Sequence, residues 1–151
     1  YYTQVLQARM AGEWAGAPLL EAATSEMLAS GDYDRHLRRL KRRIAEGIAA
    51  VVARVKASFP PGTRVNVPEA GFLLWVELPP QVNALEVHRR ALAWGIGVSP
   101  GPLFSPGAEL THFLRLNCAN EPTPRLLNAV EQIGALCHEL AAFTPDSPAI
   151  R

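Results

Sequence analysis

The 151-residue sequence predicts an α+β domain, a small and mainly antiparallel sheet covered on one face by a long helix and a C-terminal helix. Three observations predict it. From Leu37 through Leu40, Ile44, Ile48, Val51, Val55 and Phe59, a single apolar stripe steps by three or four residues. Past Pro60-Pro61-Gly62 the pattern changes to period two and to short apolar runs. A second stripe at helical spacing, Leu126, Val130, Ile133, Cys137 and Leu140, follows those runs.

Taken in order, residues 1–30 are Ala-rich and helix-permissive, with a break near Gly16 and Pro18, and read as one or two short helices. At Gly31-Asp32 a stop signal meets a start signal, since glycine suits a helix end and Asp32 can accept a hydrogen bond from the free amides of the next helix. The long helix follows, and Pro60-Pro61-Gly62 ends it. Val65 and Val67, alternating with Arg64 and Asn66, read as one strand and Phe72-Leu73-Leu74-Trp75-Val76 as the next. Asn83, with Glu86 three residues on, forms a capping-box pattern for a helix from Ala84 to Trp94, whose buried side is expected at Leu85, Ala91 and Leu92. Gly95-Ile96-Gly97-Val98 reads as a short strand, Ser99 to Gly107 as a Pro/Gly-rich loop, and Thr111 to Cys118 as a further strand. Thr123 caps the last helix, which Pro124 opens. Residues 144–151 are Pro-rich and read as a frayed tail.

Composition excludes some functions without selecting one. Hydrophobic residues make up 48% and charged residues 19%, and no apolar run approaches the ~20 residues that cross a bilayer. The net charge of +1 gives no bulk electrostatic pull toward nucleic acid. Two cysteines, Cys118 and Cys137, make no disulfide framework and fit a reducing cytoplasmic compartment as free thiols. A sequence opening on Tyr1 rather than Met is expected to be a processed chain or a piece of a longer one.

Among local motifs, Arg35-His36-Leu37-Arg38-Arg39-Leu40-Lys41-Arg42-Arg43 is the densest charge cluster and would offer a helix face to phosphates. The alternative is a solvated face, because Leu37, Leu40 and Ile44 keep the apolar register through the cluster. His36, His88, His112 and His138 with the two cysteines show no metal-ligand spacing, and no serine sits in a nucleophile-elbow setting. Gly95-Ile96-Gly97 lacks the helix-opening positions of a phosphate loop.

Three longer stretches say more. Glu69-Ala70-Gly71-Phe72-Leu73-Leu74-Trp75-Val76-Glu77-Leu78-Pro79, then Trp94-Gly95-Ile96-Gly97-Val98-Ser99-Pro100-Gly101-Pro102-Leu103-Phe104, then His112-Phe113-Leu114-Arg115-Leu116-Asn117-Cys118-Ala119 resemble the C-terminal small domain of fold-type I, class I/II pyridoxal-phosphate-dependent aminotransferases. Leu28 to Leu40, reading LASGDYDRHLRRL, is similar to the MocR branch of the GntR transcription regulators, which fuse a winged helix-turn-helix to an aminotransferase-like domain. The resemblance covers about residues 20–142. It departs from the family at Ala70, where a second glycine is usual.

The resemblance implies three segments: 1–30 as a helical remnant of the inter-domain region, 31–143 as the small domain, and 144–151 as a flexible tail. It implies that Arg115, in Leu114-Arg115-Leu116-Asn117, binds the substrate carboxylate in the complete protein, a role that suits a planar fork able to grip both oxygens. The alternative for Arg115 is an ordinary surface arginine on an edge strand. It implies that the Ser99 to Gly107 loop shapes the mouth of the active site, against the alternative of a plain connector.

The family holds pyridoxal phosphate as a Schiff base on a lysine of the large domain. The lysines of this sequence are Lys41 and Lys56, both in the long helix and neither introduced by Ser-x-x, so the chain is expected neither to hold the cofactor nor to transaminate alone. Three readings stand. One is the C-terminal portion of a MocR-type regulator that senses an amino acid or vitamin B6 species, homodimeric, binding DNA through an N-terminal domain not in this sequence. Another is part of a free-standing aminotransferase acting on an amino acid and a 2-oxo acid. The third is a nucleic-acid-binding module built on the basic helix. With a large domain missing, apolar area around Trp75, Phe104 and Phe113 is expected to be exposed, and self-association or a loosened N-terminal thirty residues would hide part of it.

Overall fold

Strand alternation sorts the side chains of a four-stranded antiparallel sheet onto two unlike faces. The computed structural model describes residues 1–12 and 17–142, and the chain divides between Lys41 and Arg42 into two compact units. The expected break at Gly16 and the tail at 144–151 lie outside the described residues.

The N-terminal unit comprises α1 (Tyr2–Gly12), α2 (Pro18–Ala29) and the first turns of α3 (Asp32–Ser58). Arg9 of α1 pairs with Glu21 of α2. Neither helix buries a residue, and Tyr2, Val5, Met10, Leu19 and Leu20 stand exposed. Gly31 takes the left-handed backbone expected of a helix stop, with φ +74°. Asp32 does not cap as expected: its carboxylate pairs with the Arg35 guanidinium and accepts from the Ser30 hydroxyl.

The second unit carries the sheet: β1 (Arg64–Asn66), β2 (Leu73–Glu77), β3 (Ser99–Pro100) and β4 (Phe113–Asn117), in the order β1-β2-β4-β3. Leu74, Val76, Leu114 and Leu116 point to one face and are buried there. Three helices supply the opposing core: Val51 and Val55 of α3 with Phe59 just past its end, Ala84, Val87 and Ala91 of α4 (Ala84–Ala93), and Val130, Ile133, Leu136 and Cys137 of α5 (Pro124–Ala142). Each large aliphatic side chain so buried contributes about 1.5–3 kcal/mol relative to exposure. The sequence predicts two covering helices, and α4 is the third. Its buried side is Ala84, Val87 and Ala91, while the expected Leu85 and Leu92 sit about 100° away and are exposed. In α3 the predicted stripe is buried only toward its C-terminal end, and Leu40 is exposed.

Two termini form as their residues dictate. The Asn83 side chain accepts from the amides of Leu85 and Glu86 at 2.9 and 3.3 Å, a cap worth on the order of 1 kcal/mol. Glu86 does not complete the box; it turns to Arg89, whose hydrogen bond holds its carboxyl below the usual range. Thr123 Oγ1 accepts from the Leu126 amide at 3.3 Å, and Pro124 opens α5. The strand expected at Gly95-Ile96-Gly97-Val98 is absent because α4 ends there in a Schellman motif. Gly95, at φ +74°, donates to Leu92 O and Ile96 donates to Ala91 O. Strand pairing resumes at Ser99, and the expected Thr111 to Cys118 strand narrows to β4.

Candidate functional site

Arg115 stands in the middle of the sheet. β4 lies between β2 and β3, so the edge-strand placement does not hold. Trp75 and Ser99 are its register partners on either side. With Leu114 and Leu116 turned to the helices, Phe113, Arg115 and Asn117 occupy the opposite face, together with Leu73, Trp75 and Glu77. Arg115 is half-buried, and its Cζ lies 3.8 Å from the centroid of the Phe104 ring, over the ring face. Among the described residues no carboxylate pairs with the guanidinium.

Phe104 ends a short 3-10 helix, Gly101–Phe104, which follows β3 directly. The ring also meets Trp75 edge-on, with centroids 5.5 Å apart, and Trp75 in turn meets Phe113 at 6.3 Å. The Ser99 to Gly107 stretch is therefore no plain connector in conformation: it supplies a strand residue on one side of Arg115 and an aromatic platform beneath it. Nothing in the sequence signals this Phe104 contact, because it depends on how the chain turns back through a second 3-10 helix, Ala108–Leu110, before entering β4.

A cleft of about 300 Å³ lies between the strands and the helices α3 and α5, lined by Leu73, Ser99, Arg115 and Asn117 of the strands and by Val51, Leu126 and Ile133 of the helices among others. Arg115 is its one charged lining residue, and the rest of the wall is aliphatic or neutral. The Asn117 side-chain oxygen accepts from the Ala119 amide at 2.9 Å, which leaves its side-chain NH₂ to donate. One fixed cation, neutral donors and an aliphatic wall suit a small ligand with a single carboxylate and a largely apolar remainder.

The other candidates lie apart from this cluster. Arg42 pairs with Glu46 at 3.9 Å and Arg43 with Glu121 at 3.6 Å, both exposed contacts of the kind that contribute about 0–1 kcal/mol. Arg38, Arg39 and Lys41 are exposed. His88 Nδ1 lies 2.6 Å from the Val98 carbonyl oxygen, and His112 stands 3.8 Å from Glu77. Among the described residues no three His, Cys, Asp or Glu side chains group as a metal site.

Cys118 and Cys137 are buried free thiols. Burial pushes both up from the usual 9.0, Cys137 to about 12. Iodoacetamide at pH 8 is therefore expected to spare both in the folded chain and to label both in denaturant, as mass spectrometry would read. The sign follows: Cys137 contributes stability fully below pH 9.0, and that contribution is lost as pH rises toward 12, because the unfolded thiol ionises first.

Comparison with known proteins agrees with this architecture. The crystal structure of LysN, the α-aminoadipate aminotransferase of Thermus thermophilus, complexed with N-(5'-phosphopyridoxyl)-L-leucine, superposes with a TM-score of 0.79 at 24% identity, over 95% of this chain and 36% of that one. The fold is thus that of part of an aminotransferase. The family model for aminotransferase class I and II matches residues 4–133, and the chain belongs to that family. Relatives in Escherichia coli (strain K12) are the uncharacterized HTH-type transcriptional regulators YjiR, 30% identical over 89% of this chain, and YdcR, 33% identical over 80%. The chain spans 28% and 26% of their lengths. Among the described residues no helix is long and apolar enough to cross a membrane.

The family implies pyridoxal phosphate, whose tether is a lysine amine aimed into a cavity. Lys41 and Lys56 are both exposed on α3, and neither lines the Arg115 cleft. The residues of this chain do not fit the cofactor's tether.

Proposed function

We propose that this chain is the small-domain portion of the aminotransferase-like effector domain of a MocR-type regulator of the GntR family. In it Arg115 grips the carboxylate of an amino acid or 2-oxo acid. The single observation that carries the site is a guanidinium on the central strand, laid over the Phe104 ring and engaged by no carboxylate among the described residues, in a residue that also lines a cleft with no other charged side chain. Two parallel N–H···O bonds from the planar fork would orient the ligand, Ser99 and Asn117 would donate from its flanks, and the aliphatic wall would exclude water from the remainder.

Two regulators at 30% and 33% identity support the regulator reading. In this reading pyridoxal phosphate is tethered by a lysine outside this sequence. DNA is bound by an N-terminal region also outside it, and the complete protein is a cytoplasmic homodimer. The sheet face bearing Trp75 and Phe113 packs against the rest of the effector domain. A second reading, a free-standing aminotransferase converting an amino acid and a 2-oxo acid, is favoured by the likeness to the Thermus enzyme over 95% of the chain.

The test of the site is to titrate the chain with L-leucine while following the Nε–Hε resonances of its arginines by NMR. The Arg115 resonance is expected to move and those of Arg38 and Arg39 to stay; an unmoved Arg115 overturns the carboxylate role. A coding sequence upstream of Tyr1 that encodes a winged helix-turn-helix decides for the regulator, and one that lacks it decides for the enzyme.

A further inference from the structure

Arg115 raises a physical problem. A guanidinium meant to receive a carboxylate must be held still, yet an acidic partner would occupy its donors and cancel its charge. The usual anchor for a half-buried arginine is therefore excluded. What stands against it is the Phe104 ring, with Cζ 3.8 Å from the centroid. An aromatic face attracts a cation through its quadrupole and takes none of the in-plane N–H donors.

We infer that Phe104 is a positioning residue: its ring pre-orients the Arg115 fork for the incoming carboxylate, an inference that rests on the carboxylate reading above. The ring is held for this task from two sides. Trp75 meets it edge-to-face at 5.5 Å and is also the strand partner of Arg115, so one residue registers both members of the stack. The 3-10 helix carrying Phe104 is pressed onto the segment leading into β4 at Gly101, where an added Cβ would lie 2.3 Å from the Leu110 carbonyl oxygen and 2.9 Å from the Phe113 Cβ. The platform is thus fixed to the strand that carries the arginine. At 39% exposure Phe104 contributes little to the core, so its position is not explained by burial.

Pre-orientation lowers the cost of ordering a long side chain when the ligand arrives, so losing it weakens binding without removing the charge. Phe104→Leu in the full chain is expected to weaken L-leucine binding roughly three- to tenfold in the NMR titration, with the melting temperature within about 3 °C of wild type. Phe104→Tyr, which keeps the aromatic face, is expected to restore the wild-type affinity. Without ligand, the Arg115 Nε–Hε proton should lie upfield of the other arginines from the ring current and move back downfield in Phe104→Leu. A structural contact alone would show the same ring-current shift but would leave the affinity unchanged. If wild type and Phe104→Leu bind L-leucine equally, the inference falls and the carboxylate reading stands. If wild type leaves Arg115 unmoved, both fall. Should Phe104→Leu fail to fold, an Arg115 proton in wild type that is not upfield-shifted overturns the stack by itself.

Discussion

Gly134→Ala is expected to lower the stability of the chain by about 2 kcal/mol and its melting temperature by about 5–10 °C, although alanine is the better helix former. Two effects oppose each other at this position. In the middle of α5, alanine would gain about 1 kcal/mol over glycine from backbone entropy. Against that, a Cβ at Gly134 would lie 2.3 Å from the Ser58 carbonyl oxygen, 2.8 Å from its carbon and 2.9 Å from Cδ2 of Phe59. The nearest atoms are backbone and cannot rotate aside, so α3 and α5 must separate and loosen the packing of Phe59 and Ile133. Overpacking of this kind typically costs about 1–3 kcal/mol and occasionally more, and here it wins because helix backbone meets helix backbone. Gly97→Ala is the control: an added Cβ meets nothing within 4 Å, its φ is not in the left-handed region, and the change is expected within about 0.5 kcal/mol. Thermal unfolding by circular dichroism compares the three chains. A Gly134→Ala chain as stable as wild type would show that the two helices have room to spare.

That crossing could not be read from the sequence, and its illegibility shows where periodicity stops informing. Apolar spacing announces α3, α4 and α5 and their approximate ends, because a stripe is a property of one element alone. Which side of α4 is buried depends on its neighbours: Leu85 and Leu92 are the larger apolar groups, yet the helix turns Ala84, Val87 and Ala91 inward. Small residues there let the helix lie close to the sheet, and hydrophobicity ranks them below the leucines. The same limit explains β3. Gly95 to Val98 has strand-like composition, but the C-terminal turn of α4 claims the amides of Gly95 and Ile96 first.

The site divides in the same way. Arg115 was legible from its surrounding words and from the alternation of β4, both local to the chain. Its central position in the sheet, the ring of Phe104 beneath it and the donors of Ser99 and Asn117 beside it come from the return of the chain from β3 to β4 through two 3-10 turns, which no local pattern encodes. Lys41 and Lys56 show the converse. Their place in the long helix is read from the sequence, and both are exposed on it.

Arg115→Lys is expected to weaken L-leucine binding by about 10–100-fold while leaving the fold intact. A lysine keeps the positive charge, so the long-range attraction survives. What it loses is the second of two parallel hydrogen bonds and the planar group that lies over Phe104. A hydrogen bond to a charged group contributes about 1.5–3 kcal/mol, and each 1.4 kcal/mol is a factor of about ten, which sets the expected range. Stability should hardly change, because no carboxylate among the described residues loses a partner and the side chain lies on the face away from the helices. Arg115→Ala should bind more weakly still, since the cleft then holds no charge at all. Isothermal titration at two ionic strengths, alongside a melting curve for each variant, separates the outcomes. A lysine variant with wild-type affinity would mean that a point charge suffices and the fork is not used. An alanine variant with wild-type affinity would move the ligand away from this cleft altogether.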